Sequence, residues 1–321
     1  MNNKLSVIIP SRNELFLPET VTDLLKKSTG EIEIIVILDG YWPVLDGTES
    51  NNKKHCYNVM MTDKRVVLLH RGEAQGMRPG INSAVAIAKG DYILKIDAHC
   101  LLDEGFDDKL KADCEPNWVV IPRRKRLDAE DWCIQIQPDT TRKPDIDYEF
   151  LSFPDNPSDF GGAGFNGRIW TDKILAKQND PKHDIDDNMS FQGSCWFMHR
   201  SYFHELELMD HINYGTFWSE AQEIGFKTWL SGGAVKINKK TWYAHLHKGK
   251  TYGRMYPLSN RTVEQGAMFS VSWLNNKAWP KQTLPFHTMI EHFWPLPGWP
   301  DNWMEILNYN KEEANAQFEI E

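Results

Sequence analysis

The chain has 321 residues, 41% of them hydrophobic, enough to fill a substantial core. Its formal charge of −9 excludes a protein that coats nucleic acid with its whole surface. The longest aliphatic run, Ile34 to Leu38, stops at Asp39, far short of the about 20 apolar residues that cross a bilayer, so no membrane partner is expected. Five scattered cysteines (Cys56, Cys100, Cys114, Cys133, Cys195), never spaced Cys-x-x-Cys, argue against a disulfide framework or zinc ribbon. Met1-Asn2-Asn3-Lys4 leads straight into a short strand-like run without a secretory core, and a cytoplasmic location is expected.

The first half alternates strand-like and helix-like segments, the pattern of an α/β fold with a mostly parallel sheet flanked by helices. Leu5 to Pro10 reads as a buried strand. A helix then opens at Leu17-Pro18-Glu19, with proline in its first turn, and closes at Lys26-Lys27 before Gly30. Ile32 to Leu38 is apolar enough for a strand covered on both faces, and Val66 to Leu69 is a third strand. Gly80 to Lys89 reads as a small-residue helix stopped by Gly90, Tyr92 to Ile96 as a fourth strand and Trp118 to Ile121 as a fifth. Between Pro138 and Asn188 the composition turns to Pro, Asp, Asn and Gly, with Gly161-Gly162-Ala163-Gly164 in the middle, and predicts a long surface excursion over 138–190. Ser219 to Gly232 reads as a capped helix. The expected division is a catalytic domain over 1–265 and an aromatic, proline-rich extension over 266–321.

An open parallel sheet binds ligands at the carboxyl ends of its strands. Pro10, Ser11, Arg12, Asn13 and Glu14 follow the first strand, Asp39 the second, Arg71 and Arg78 the third, and Asp97 and His99 the fourth. Together they describe one polar cleft with an acid for a base edge, arginines for phosphates and a metal seat. In extended backbone, residues two apart point the same way, so Asp97 and His99 can converge on one ion about 7 Å of chain apart. Charge is uneven as well. From Ile224 to Val263 there is no Asp or Glu, while Lys227, Lys236, Lys239, Lys240, Lys248, Lys250, Arg254 and Arg261 lie inside; Arg123-Arg124-Lys125-Arg126 is a second basic run. Either would attract a pyrophosphate or a nucleic-acid backbone, or serve as a solvated face.

These motifs, in this order, resemble the A-type fold (GT-A) glycosyltransferases, specifically family 2 and the polypeptide N-acetylgalactosaminyltransferases. Ser6-Val7-Ile8-Ile9-Pro10-Ser11-Arg12-Asn13-Glu14 resembles the family's first strand and nucleotide loop, and Glu33 to Asp39 its second strand, where Asp39 would accept from a uracil ring. Ala88 to Cys100 resembles the approach to the metal motif in its Asp-x-His form. Gly193 to Phe203 resembles the acceptor-side strand, and Trp218 to Trp229 with Gly232-Gly233 the helix that closes the site. The resemblance spans roughly Leu5 to Arg254. It implies a UDP-sugar donor and a third metal ligand after the closing helix. His245 and His247 share a face if the chain there is extended, so spacing leaves both open; the motif alignment favours His245. Carboxylate, imidazole and pyrophosphate donors suit Mn2+ first and Mg2+ second, with Lys248, Lys250 and Arg254 assisting on the leaving diphosphate.

In inverting members of family 2 the closing helix begins Glu-Asp, and the Asp deprotonates the acceptor hydroxyl. The matching pair here is Glu220-Ala221. Either Glu220 serves as base or the reaction retains configuration without one, and retention is the expectation. Substrate contacts are expected at Gly193, Trp196, Trp218, Glu220 and Glu223, with Trp218, Trp196 and Trp170 as an aromatic platform. The resemblance implies an acceptor hydroxyl on a protein or a glycan. The standalone build also resembles transferases of bacterial viruses, some of which modify hydroxymethylated pyrimidines in DNA, and a nucleotide- or glycan-binding module without turnover is the non-enzymatic alternative.

Overall fold

The computed structural model describes residues 3–136, 144–154, 164–254, 256–274 and 277–318. Strand β1 (Leu5–Ser11) is followed by helix α1 (Leu17–Lys27), β2 (Ile32–Asp39), α2 (Asn51–Thr62), β3 (Val66–Arg71), α3 (Met77–Ile87) and β4 (Tyr92–Ile96). Helix α1 begins as its residues dictate: Pro18 needs no intrahelical donor in the first turn, and Lys26 and Lys27 oppose the negative end of the helix dipole. Helix α2 lacks a periodic apolar stripe because it buries only Cys56 and Met60, and its start is fixed instead by Ser50, whose side chain accepts the Lys53 N–H.

The chain continues through β5 (Cys100–Leu102), α4 (Phe106–Ala112), β6 (Trp118–Asp128) and the short β7 (Cys133–Ile134). Within the predicted excursion lie β8 (Glu149–Leu151), β9 (Gly167–Ile169), α5 (Thr171–Lys177) and β10 (Ile185–Asp187). This segment is not simply a surface loop: Tyr148, Leu151, Phe165 and Ile174 are buried. The Gly161–Ala163 part of its glycine run lies outside the described residues. Then come β11 (Cys195–His199), α6 (Arg200–Glu205), α7 (Glu220–Trp229) and the twelve-residue β12 (Ala234–His245). The acid-free basic stretch hides β12, since its exposed positions carry lysines.

The sheet order is β10-β12-β6-β11-β4-β1-β2-β3. Strands β3, β2, β1 and β4 are parallel, β11 runs antiparallel between β4 and β6, and β6 pairs parallel with β12. Because β1 is flanked by β2 on one side and β4 on the other, the chain reverses its winding there, and a crevice opens at the carboxyl ends of these strands. Alternating side chains supply two cores. Leu5, Val7 and Ile9 face Val21 and Leu24 of α1, whereas Ile8 joins the cluster containing Ile81 and Val85 of α3. Each such fully buried aliphatic side chain contributes roughly 1.5–3 kcal/mol relative to exposure.

The C-terminal residues form α8 (Gly249–Tyr252), α9 (Asn260–Ser272), α10 (Phe286–Phe293), α11 (Trp303–Ile306) and α12 (Lys311–Ala316). The boundary expected at 265/266 falls inside α9. Trp273, Phe286, Trp299 and Trp303 pack in the same cluster as Ile224 and Phe226 of α7, and Trp299 Nε1 donates to the Leu151 carbonyl at 2.7 Å. The C-terminal residues therefore share one hydrophobic cluster with α7. No described helix is long and apolar enough to cross a membrane.

Candidate active site

A cavity of about 1050 Å³ lies at the carboxyl ends of β1, β2 and β4, lined by Pro10, Ser11, Arg12, Glu14, Asp39, Asp97 and His99. Its far wall comes from β9, the loop before β11, the start of α7 and the segment after β12. Two backbone contacts assemble a candidate metal seat. Asp97 N–H donates to the Ser194 carbonyl at 2.9 Å, and β5 pairs antiparallel with β12 so that Cys100 stands opposite His245. Leu246 N–H then donates to the His99 carbonyl at 3.2 Å.

Asp97, His99 and His245 consequently present ligand atoms within 4.8 Å of one another. His99 Nε2 and His245 Nε2 are 3.0 Å apart, and Asp97 Oδ2 is 3.4 Å from His245 Nε2. Neighbouring ligands about 2.1 Å from an octahedral ion stand roughly 3.0 Å apart, so this spacing fits a small divalent cation. Burial drives the His245 pKa down to about 3, and the neutral ring keeps a lone pair for a metal. Behind these side chains, His99 Nδ1 lies 3.2 Å from Glu14 Oε2, within reach of a carboxylate that could orient the ring. Burial pushes the Glu14 carboxyl up, but His99 and Lys248 outweigh it and hold it below its ordinary range. His247 lies past the end of β12, its ring edge-on to His245 at 5.4 Å, outside the ligand group.

Asp39 closes the cavity at the end of β2. Its two oxygens accept the Gln75 and Gly76 N–H groups, both at 2.9 Å, and its cavity-facing side keeps lone pairs for a ligand. In the wall beside Glu14, Lys248 Nζ is 2.6 Å from Glu14 Oε2, while Arg254 stacks over Phe217 and Tyr256 and Arg12 over Tyr256. Asn13, at φ 55°, turns the loop between these groups.

Several expected contacts lie elsewhere. Arg71 braces the loop after β3, bonding Gly76 and Gln75 and pairing with Asp39 at 3.3 Å. Arg78 is fully buried, ion-paired to Glu223 and donating to the Trp218 carbonyl at 2.8 Å, so neither Arg78 nor Glu223 faces the cavity. Trp196 is also fully buried; its Nε1 donates to Glu220 Oε1 at 2.5 Å, and its ring is no sugar platform. Trp170 packs against Phe150 outside the cavity. Gly193, Trp218 and Glu220 do line it. Gly193 must be small, since a Cβ there would come 2.6 Å from Glu220 Oε2.

Ser219 makes no side-chain cap to α7; with Trp218 it sits at positive φ (51° and 75°), a turn that non-glycine residues adopt only when their surroundings impose it. The basic runs are occupied in part. Arg123, Arg124 and Lys125 pair with Asp147, Glu149 and Asp145; Lys227, Lys236 and Lys240 pair with Glu223, Asp187 and Asp113. Apart from Glu223, one turn from Lys227 in α7, the acids come from other segments, which is why the local sequence looked unbalanced. The residue that sequence reasoning missed is Lys95, buried in the cavity wall, although its period-two spacing from Asp97 put it on the same face.

Residues 6–206 match the model of glycosyl transferase family 2. The chain is 32% identical over 111 residues to glycosyltransferase GlyG of Streptococcus pneumoniae, covering 34% of this chain and 35% of that protein. It is 24% identical over 271 residues to putative polypeptide N-acetylgalactosaminyltransferase 13 of Drosophila melanogaster, covering 80% and 44%. It thus spans less than half the length of these curated relatives. The fold superposes on GalNAc-T7 solved with UDP, GalNAc and Mn2+ at a TM-score of 0.64 and 16% identity, covering 96% and 55%. It superposes on TarS 1-349 of S. aureus with UDP-GlcNAc at 0.51 and 12%, covering 87% and 68%. With the family model covering most of the chain, and the GT-A sheet carrying an Asp-x-His pair at its crevice, the chain belongs to glycosyl transferase family 2.

Proposed function

We propose that the chain is a metal-dependent glycosyltransferase that moves a sugar from a UDP-sugar to an acceptor hydroxyl with retention of configuration. The observation that carries this reading is the convergence of Asp97, His99 and His245 in the cavity that Asp39 closes at its other end. When bound at those three side chains, Mn2+ or Mg2+ supplies positive charge for the departing diphosphate. Asp39 would accept from the uracil ring, Ser11 and Arg12 line the nucleotide loop, and Lys248 and Arg254 would steady the phosphates.

Retention is supported by the state of Glu220. Its Oε1 accepts from Trp196 and its Oε2 from Lys95 at 3.3 Å, so both oxygens are engaged, and Ala221 beside it cannot take a proton. A protein acceptor is supported by the length of the likeness to a putative polypeptide transferase; a glycan acceptor fits the family. Modified DNA loses some support because Arg123, Arg124, Lys125, Lys227, Lys236 and Lys240 are paired with acids. The test is UDP release from UDP-GalNAc and UDP-GlcNAc with Mn2+ and with a chelator. Metal-dependent release is expected; no release from any UDP-sugar would favour a binding module, and chelator-insensitive release would remove the metal from the reading.

A further inference from the structure

Lys95 is 1% exposed and stands two residues before Asp97 on β4, on the face that carries the metal seat. Its Nζ donates to Asp97 Oδ1 at 2.8 Å, to Glu220 Oε2 at 3.3 Å and to the Gly193 carbonyl, so all three ammonium protons have acceptors. The other oxygen of the same carboxylate, Asp97 Oδ2, is the one that faces His245 Nε2. Asp97 is the single acid in the ligand group; Glu14, behind His99, is matched by Lys248. The seat's only anionic ligand among the described residues is therefore already shared with a cation that three acceptors hold in place. A free divalent ion arriving there must share that carboxylate with a fixed positive neighbour.

Resting on the metal reading above, we propose that Lys95 is a built-in counterion that keeps the seat's affinity for a free divalent cation low, so that the ion is retained only together with a nucleoside diphosphate. The diphosphate supplies the negative charge that Asp97 shares with Lys95. Lys95 is thus a positioning residue, acting through Asp97 and not on the substrate, and it makes metal and donor bind as a unit.

Mn2+ binding to the purified chain, followed by the electron paramagnetic resonance of the free ion with and without UDP, tests this. Wild type is expected to bind free Mn2+ weakly and to gain strongly from UDP, with Mn2+ tightening UDP by the same factor. Lys95→Met and Lys95→Gln are expected to bind free Mn2+ about tenfold tighter, with a smaller gain from UDP, because the repelling charge is gone. Lys95→Gln keeps a hydrogen-bond donor, so it separates charge from orientation and serves if Lys95→Met does not fold. Unchanged or weaker free-metal binding in the variants, or wild-type binding indifferent to UDP, would overturn this proposal and leave the seat standing. Wild type that binds no Mn2+ even with UDP would overturn both.

Discussion

His99 and His245 meet Nε2 to Nε2 at 3.0 Å across 146 positions of sequence, brought together by the pairing of β5 with β12. His247, two residues on, stays outside that group. Replacing His245 with Ala should lower Mn2+-dependent transfer by at least ~100-fold, because a ligand is lost from a three-residue seat. His247→Ala should change it by less than about threefold. Donor-turnover assays beside a thermal melt separate the two, and equal losses would move the third ligand to His247.

Glu14 Oε2 stands 3.2 Å behind His99 Nδ1 and is itself held by Lys248. Glu14→Gln keeps the size and removes the charge. Metal affinity should fall roughly 10- to 100-fold, the usual effect of losing a partner that orients a ligating histidine. Mn2+ titration reads this directly, and an unaltered dissociation constant would show that His99 needs no such support.

Arg78 and Glu223 form a pair with both side chains fully buried, and Arg78 also grips the Trp218 carbonyl beneath the strained Trp218-Ser219 turn. Arg78→Met leaves that carbonyl and one Glu223 oxygen without their donor. A loss of about 3–5 kcal/mol in urea-unfolding stability is expected. A loss below about 1 kcal/mol would mean that Lys227, 2.9 Å from the other Glu223 oxygen, suffices.

Burial among Tyr148, Trp170 and Phe293 lowers the Lys173 pKa to about 8 from its ordinary 10.5. Between these values the unfolded chain holds the extra proton, so this group's contribution to stability rises with pH across the window. Its cost is fully present below pH 8 and gone above about 10.5. Lys173→Met should therefore stabilise the protein at pH 7 and lose that advantage as pH rises towards 10. Denaturation at both pH values checks the slope, and an advantage independent of pH would assign the effect to packing alone.

With Ala221 unable to act as base and both Glu220 oxygens engaged, the product should keep the donor's anomeric configuration. NMR of the product's anomeric proton decides it. An inverted anomer would require Glu220 to leave Lys95 and act as the base.

Local chemistry made much of this protein legible in its sequence. The apolar runs of β1, β2 and β4, the proline-opened α1 and the Asp97-Ala98-His99 triplet are signals carried within a few residues, because strand burial and side-chain alternation are local properties. Helix α2 left no such mark, with two buried side chains in twelve residues, and β12 was masked by its own lysines. What the tertiary structure alone decided is which charges meet. Arg123 and Lys236 found their acids in other segments, Arg78 turned inward to Glu223, and Trp196 went to the core to hold Glu220. Asp97 and His99 could be read as candidate ligands from their spacing and His245 from the motif resemblance, but that His245 and not His247 stands beside them, and that Lys95 takes the other Asp97 oxygen, depends on strand register. Register is set by long-range backbone pairing, and no local pattern of residues encodes it.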